Sequence, residues 1–119
     1  MNIKWITLQV ADLETSRKFY GQFLGLKEQR MFSPTPGKTI CFFDTENDVQ
    51  VELICDISVK EITSSSSVTI GLGVNDYDEM YQKSKEQGIV FSKPVVMGGN
   101  VSCFFITDPD GTKLQIIKK

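Results

Sequence analysis

Histidine is absent from this 119-residue chain. The commonest general base and a common transition-metal ligand are therefore missing. The three cysteines, Cys41, Cys55 and Cys103, are odd in number and widely spaced, with no Cys-x-x-Cys pair. That argues against a zinc knuckle or a redox motif. Each lies in an apolar, strand-like stretch and reads as a small buried hydrophobe. A nucleophilic thiol needs a neighbouring base, and no histidine can serve. Apolar runs extend only a few residues, so no membrane partner is expected. Neither charge dominates: 13 Lys and Arg against 15 Asp and Glu give a net charge of −2, with the signs interleaved. Without a basic face to neutralise phosphates, no nucleic-acid partner is expected. The opening Met-Asn-Ile-Lys-Trp is strand-like and lacks the apolar core of a signal peptide, so a cytoplasmic protein is expected.

What remains is ordinary globular composition, 40% hydrophobic and 24% charged. The length suits one domain and is too short for two independent ones. Within it, the first half is written again in the second. Leu8-x-Val10-x-Asp12 recurs as Leu72-x-Val74-x-Asp76. Such an internal repeat fixes architecture before any local assignment. It predicts two modules, residues 1–57 and 68–119, joined by a linker over 58–67 whose Ser/Thr-rich part, 63–67, has no hydrophobic period. A cleft between modules is a natural ligand site.

Ile6, Leu8 and Val10 alternate with polar residues, the period of a half-buried strand. Asp12 can cap a helix whose apolar face is Leu13, Tyr20, Phe23 and Leu24, with Gly25 as terminator. Residues 33–37, Ser-Pro-Thr-Pro-Gly, read as a loop. Strands follow around residues 39–43 and 50–54, separated by a polar turn. The second module opens with Ile70, Leu72 and Val74. Asp76 and Glu79 resemble a capping box, the helical face is Tyr77, Met80 and Tyr81, and Gly88 ends the helix. Strands are expected at 95–97, 101–106 and 113–117, with Asp108-Pro109-Asp110-Gly111 as a turn. Asp108 and Asp110 are therefore read as structural.

Leu8-x-Val10-x-Asp12-Leu13-x-x-Ser16-x-x-Phe19-Tyr20-x-x-x-Leu24-Gly25-Leu26 resembles the first module of the vicinal oxygen chelate superfamily, the glyoxalase, bleomycin-resistance and extradiol-dioxygenase group. Ile70-x-Leu72-x-Val74-x-Asp76 resembles its second module, and Phe105-x-x-Asp108-Pro109-Asp110-Gly111-Thr112-x-Leu114-Gln115 its closing hairpin. The resemblance spans essentially the whole chain, in order. It implies an α+β fold: two tandem βαβββ modules forming a curled mixed sheet around a cleft, helices on the outer face, usually in a homodimer.

In that fold Ile6, Leu8 and Val10 face the helices, leaving Trp5, Thr7 and Gln9 on the inner face. Thr69, Gly71 and Gly73 are inner positions of the second module, as are Glu52 and Gln115 of two further strands. Gly71 and Gly73 would add room there. Each Phe pair, Phe42-Phe43 and Phe104-Phe105, can send only one ring inward. Metal-dependent members carry ligands at four inner positions, which fall here on Trp5, Glu52, Thr69 and Gln115. Only Glu52 is a good donor, whereas a transition ion needs three or four. The expectation is no metal and no cofactor.

Three functions follow. The leading one is metal-free binding of an aromatic or cationic small molecule by Trp5, Thr7, Gln9, Glu52, Thr69 and Gln115. Trp5 is then the platform and Glu52 the counter-charge. The alternatives are a glyoxalase-like lyase or isomerase with Glu52 as general base, and a non-catalytic dimeric interaction module.

Overall fold

In the computed structural model, which describes residues 1–119, the chain runs β1 (Trp5–Gln9), α1 (Leu13–Arg17), a π-helical continuation (Lys18–Phe23), β2 (Lys27–Thr35), β3 (Lys38–Asp44) and β4 (Gln50–Asp56). The same order repeats as β5 (Thr69–Val74), α2 (Tyr77–Glu86), β6 (Val90–Met97), β7 (Val101–Thr107) and β8 (Lys113–Lys118). The α+β class and the twofold βαβββ order that the family resemblance implies are both present. The chain forms two compact units, Met1–Ile62 and Thr63–Lys119. No helix is long and apolar enough to cross a membrane.

Each unit has its own open four-stranded mixed sheet, ordered β1-β4-β3-β2 in the first and β5-β8-β7-β6 in the second. β1 pairs parallel with β4, and β5 with β8; all other pairs are antiparallel. A parallel pair needs a crossover, and the helix between the first two strands supplies it.

The first unit's core forms where one face of its sheet meets its helix. Val10, Tyr20, Cys41, Phe43, Val51 and Leu53 are buried together, with Leu8, Leu13, Phe19, Leu24 and Leu26 packed around them. Asp12 caps the helix, its carboxylate accepting from the Thr15 N–H at 3.0 Å. Gly21 allows close approach to the sheet, since a Cβ there would lie 3.2 Å from the Phe43 ring. Arg17 ties helix to strand by pairing with both Glu14 and Glu28. That pairing holds the Glu28 carboxyl below its ordinary range.

In the second unit Tyr77, Met80 and Ser84 form the buried helix face. Tyr77 and Tyr81 both meet Phe104 edge-on, at 5.3 and 5.0 Å between ring centroids. Leu114, Ile116 and Ile106 complete a core that excludes solvent. The Asp108 turn is structural, as read: its carboxylate accepts from the N–H groups of Asp110 and Thr112, at 2.9 and 2.8 Å.

Two local expectations are corrected. Residues 33–35 are not loop, because β2 continues through Pro34 to Thr35 and only then turns. β2 is an edge strand with a register shift between Phe32 and Thr35, where a proline without an N–H costs no ladder bond. Asp76 makes no side-chain cap: its backbone, at φ −100° and ψ 66°, departs from the extended conformation that Asp12 adopts at φ −135° and ψ 112°.

Candidate functional site

The sheet face turned away from the helix collects the predicted residues of the first unit. Strand register pairs Trp5 with Gln50, Thr7 with Glu52 and Gln9 with Ile54. Residues directly opposite in a ladder share a face, so Trp5, Thr7, Gln9 and Glu52 lie together. Across the next ladder Glu52 opposes Phe42, and Phe42 in turn opposes Arg30 of β2.

Glu52 is 8% exposed, an uncommon place for a carboxylate. It accepts a short hydrogen bond, 2.5 Å, from the Thr7 hydroxyl. Trp5 is 50% exposed, and its indole stands edge-on to Phe42 at 5.6 Å between centroids. Phe42 is nearly fully buried and stacks with Phe32 at 6.5 Å and 10° between planes. Gln9 is exposed beside Ile54. The surface thus combines an accessible indole, a sheltered phenyl floor and a buried carboxylate.

Thr69 and Gln115 belong to the second unit, on neighbouring strands β5 and β8. Thr69 is exposed and opposes Lys113; Gln115 opposes Gly71. The Gln115 amide donates toward the Cys103 sulfur at 3.3 Å and the Met97 sulfur at 3.8 Å. The space at Gly71 is not all free: a Cβ there would lie 3.2 Å from Ile117 Cδ1. As alternation required, each Phe pair splits. Phe43 and Phe104 enter the cores, while Phe42 and Phe105 share the faces of Glu52 and Gln115.

Two of the three cysteines are buried as expected, whereas Cys55 is half-exposed, its thiol directed at the Ala11 carbonyl at 3.8 Å. Cys41 and Cys103 have no solvent exposure. Burial, reinforced by the nearby Glu28 carboxylate, pushes the Cys41 thiol up to about 11. A metal is not suited to the predicted site. Glu52 is the sole carboxylate among the four family ligand positions, its nearest polar partner is a threonine, and no three His, Cys, Asp or Glu side chains converge. Transition ions require more donors of that kind.

Sequence reading missed Arg30 and Phe32 because it placed no strand between 27 and 35. Met31 and Phe32 are adjacent apolar residues in an otherwise polar stretch, so no two-residue period marks the strand, and the Pro-Thr-Pro-Gly sequence that follows favours a loop interpretation.

Comparison with known proteins agrees with this architecture. A family model described as the Glyoxalase/Bleomycin resistance protein/Dioxygenase superfamily matches residues 2–116. A lactoylglutathione lyase of Haemophilus influenzae is 29% identical over 125 residues, covering 99% of this chain and 93% of that protein. A probable lactoylglutathione lyase of Vibrio cholerae is 30% identical, with coverages of 93% and 86%. Among solved structures, the trypanothione-dependent glyoxalase I of Leishmania major superposes with a TM-score of 0.82 at 22% identity, covering 99% of this chain and 86% of that one. With the family model spanning nearly every residue, the chain belongs to the Glyoxalase/Bleomycin resistance protein/Dioxygenase superfamily.

Proposed function

We propose that this protein binds an aromatic or cationic small molecule without the metal on which the superfamily's chelating enzymes depend. In this reading it is a cytoplasmic homodimer with modules at residues 1–57 and 68–119. The observation that carries it is Trp5: a half-exposed indole braced edge-on by a buried phenyl ring, on the sheet face that holds the Glu52 carboxylate. An indole face attracts flat and cationic groups, by about 0.5–2 kcal/mol for a cation. A sheltered carboxylate adds a counter-charge. Dimerisation is supported by apolar side chains left exposed on β6, Phe91, Val95 and Met97.

The test is calorimetric titration of purified protein with a panel of aromatic cations and uncharged aromatics. Saturable binding is expected, unchanged by a chelator and weakened about tenfold by Trp5→Ala, a change worth about 1.4 kcal/mol. A panel in which nothing binds refutes the reading.

A second reading is favoured by the full-length likeness to lactoylglutathione lyases. Glu52 would then serve as a general base in a lyase or isomerase, since a buried carboxylate can accept a proton from bound substrate. Its discriminator is turnover measured with and without chelator. Activity that survives chelation and disappears in Glu52→Gln, with the fold intact, would establish it.

A further inference from the structure

Arg30 and Phe32 are two apart on β2 and therefore share a face. Register joins Arg30 to Phe42, Phe42 to Glu52 and Glu52 to Thr7, so four strands contribute one side chain each to a single row. Within that row the Arg30 guanidinium lies 4.6 Å from the centroid of Phe42 and 5.3 Å from that of Phe32. These ring contacts are its only side-chain interactions, and no carboxylate pairs with it. Glu28, two residues away on the same strand, is committed to Arg17.

Two phenyl rings thus hold a planar cation against the sheet while its N–H donors stay open to solvent. A guanidinium restrained in this way presents a fork that matches a carboxylate. Less side-chain entropy is lost on binding than for a freely moving arginine. Trp5 and Arg30 pack on the same buried Phe42 ring, which places the exposed indole and the guanidinium as neighbours on one face. Glu52 lies in the row between Thr7 and Phe42, so a negative group is repelled from the β1 side of the face and drawn toward β2.

Resting on the ligand-binding reading above, we propose that this face selects aromatic compounds bearing a carboxylate. The ring system lies against the exposed indole of Trp5, and Arg30 receives the carboxylate.

Three probes sharing one ring system test this by calorimetry: indole-3-acetate, the uncharged indole-3-methanol and the cationic tryptamine. Wild type is expected to bind the acetate about tenfold more tightly than the alcohol, the scale of one charge-assisted hydrogen-bonded contact. Arg30→Gln is expected to erase that preference and leave the affinity for the alcohol within about twofold. Arg30 is exposed on an edge strand, so the substitution leaves the core intact. Arg30→Lys, which keeps the charge and loses the fork, is expected to recover only part of the preference. Binding of the alcohol or the amine with no gain for the acetate overturns this inference alone. So does a carboxylate preference that persists in Arg30→Gln. Failure of all three probes to bind overturns the ligand-binding reading and this inference with it.

Discussion

The two units place different chemistry on one backbone pattern. In the first, the register row away from the helix reads Thr7, Glu52, Phe42, Arg30. In the second, the corresponding row reads Gly71, Gln115, Phe105, Ser92. The phenyl ring is kept in both. Around it, a carboxylate has become an amide, a hydroxyl donor has become hydrogen, and a guanidinium has become a short alcohol. The helix-facing rows, by contrast, stay apolar in both units, with Leu8 and Leu53 answered by Leu72 and Ile116. The folding constraint acts on the helix side of each sheet. The units differ on the other side, where Phe42 and Glu52 are buried while Phe105 and Gln115 are half-buried.

The largest effect expected from this comparison lies within the Phe104-Phe105 pair. Phe104 is fully buried against Tyr77 and Tyr81, whereas Phe105 is half-buried and meets Phe91 at 5.7 Å. Phe104→Ala should destabilise the second unit by about 3–5 kcal/mol through loss of transfer energy and the cavity left behind. Phe105→Ala should cost far less, because its site is open to water and leaves no closed void. Urea unfolding followed by far-ultraviolet circular dichroism would measure both. Equal losses would show that the two faces are packed alike.

This division also explains how much the sequence disclosed. Strands β1, β5 and β8 could be placed because each alternates between a more buried and a more exposed face. β4 could be placed because Val51 and Leu53 alternate with Gln50 and Glu52, and β3 and β7 because each carries a continuous apolar run. Asp108 could be assigned to a turn because aspartate beside Pro-Asp-Gly has a local backbone partner. β2 was obscured because all nine of its residues are exposed, leaving no apolar alternation for a reader to detect. Arg30 and Phe32 vanished with it. The Thr7–Glu52 contact was out of reach for another reason: it joins residues 45 apart in sequence. Alternation gives the face a residue points to, but only register says which neighbour it meets across the ladder.

A middle-sized effect should follow from exchanging the two rows' chemistry. Gln115 occupies the position that Glu52 holds, but its amide faces the sulfurs of Cys103 and Met97, and Gly71 offers no hydroxyl. Gln115→Glu would place a carboxylate there without a donor, at a cost of about 1–3 kcal/mol. Adding Gly71→Thr should recover part of that loss by recreating the Thr7–Glu52 pair, once Ile117 Cδ1 moves aside from the new Cβ. A double-mutant cycle in urea isolates the coupling. Additive losses would mean that the register row does not transfer its pairing from one unit to the other.

The smallest effect separates the two helix starts. Asp12 accepts from the Thr15 N–H, while Asp76 makes no such bond. Hydrogen bonds from Thr15 hold the Asp12 carboxyl below its ordinary 3.8. A folded value depressed below the unfolded one contributes stability that is present above the unfolded value and lost as pH falls through the folded one. Asp12→Ala should therefore lower the melting temperature at neutral pH by more than Asp76→Ala does. That difference should shrink on acidification below 3.8, as the wild-type carboxylate takes up its proton. Thermal melts of both variants at neutral and strongly acidic pH test this. If Asp76→Ala proved as costly as Asp12→Ala at neutral pH, the two helices would be capped alike in solution. The asymmetry between the units would then be confined to their sheets.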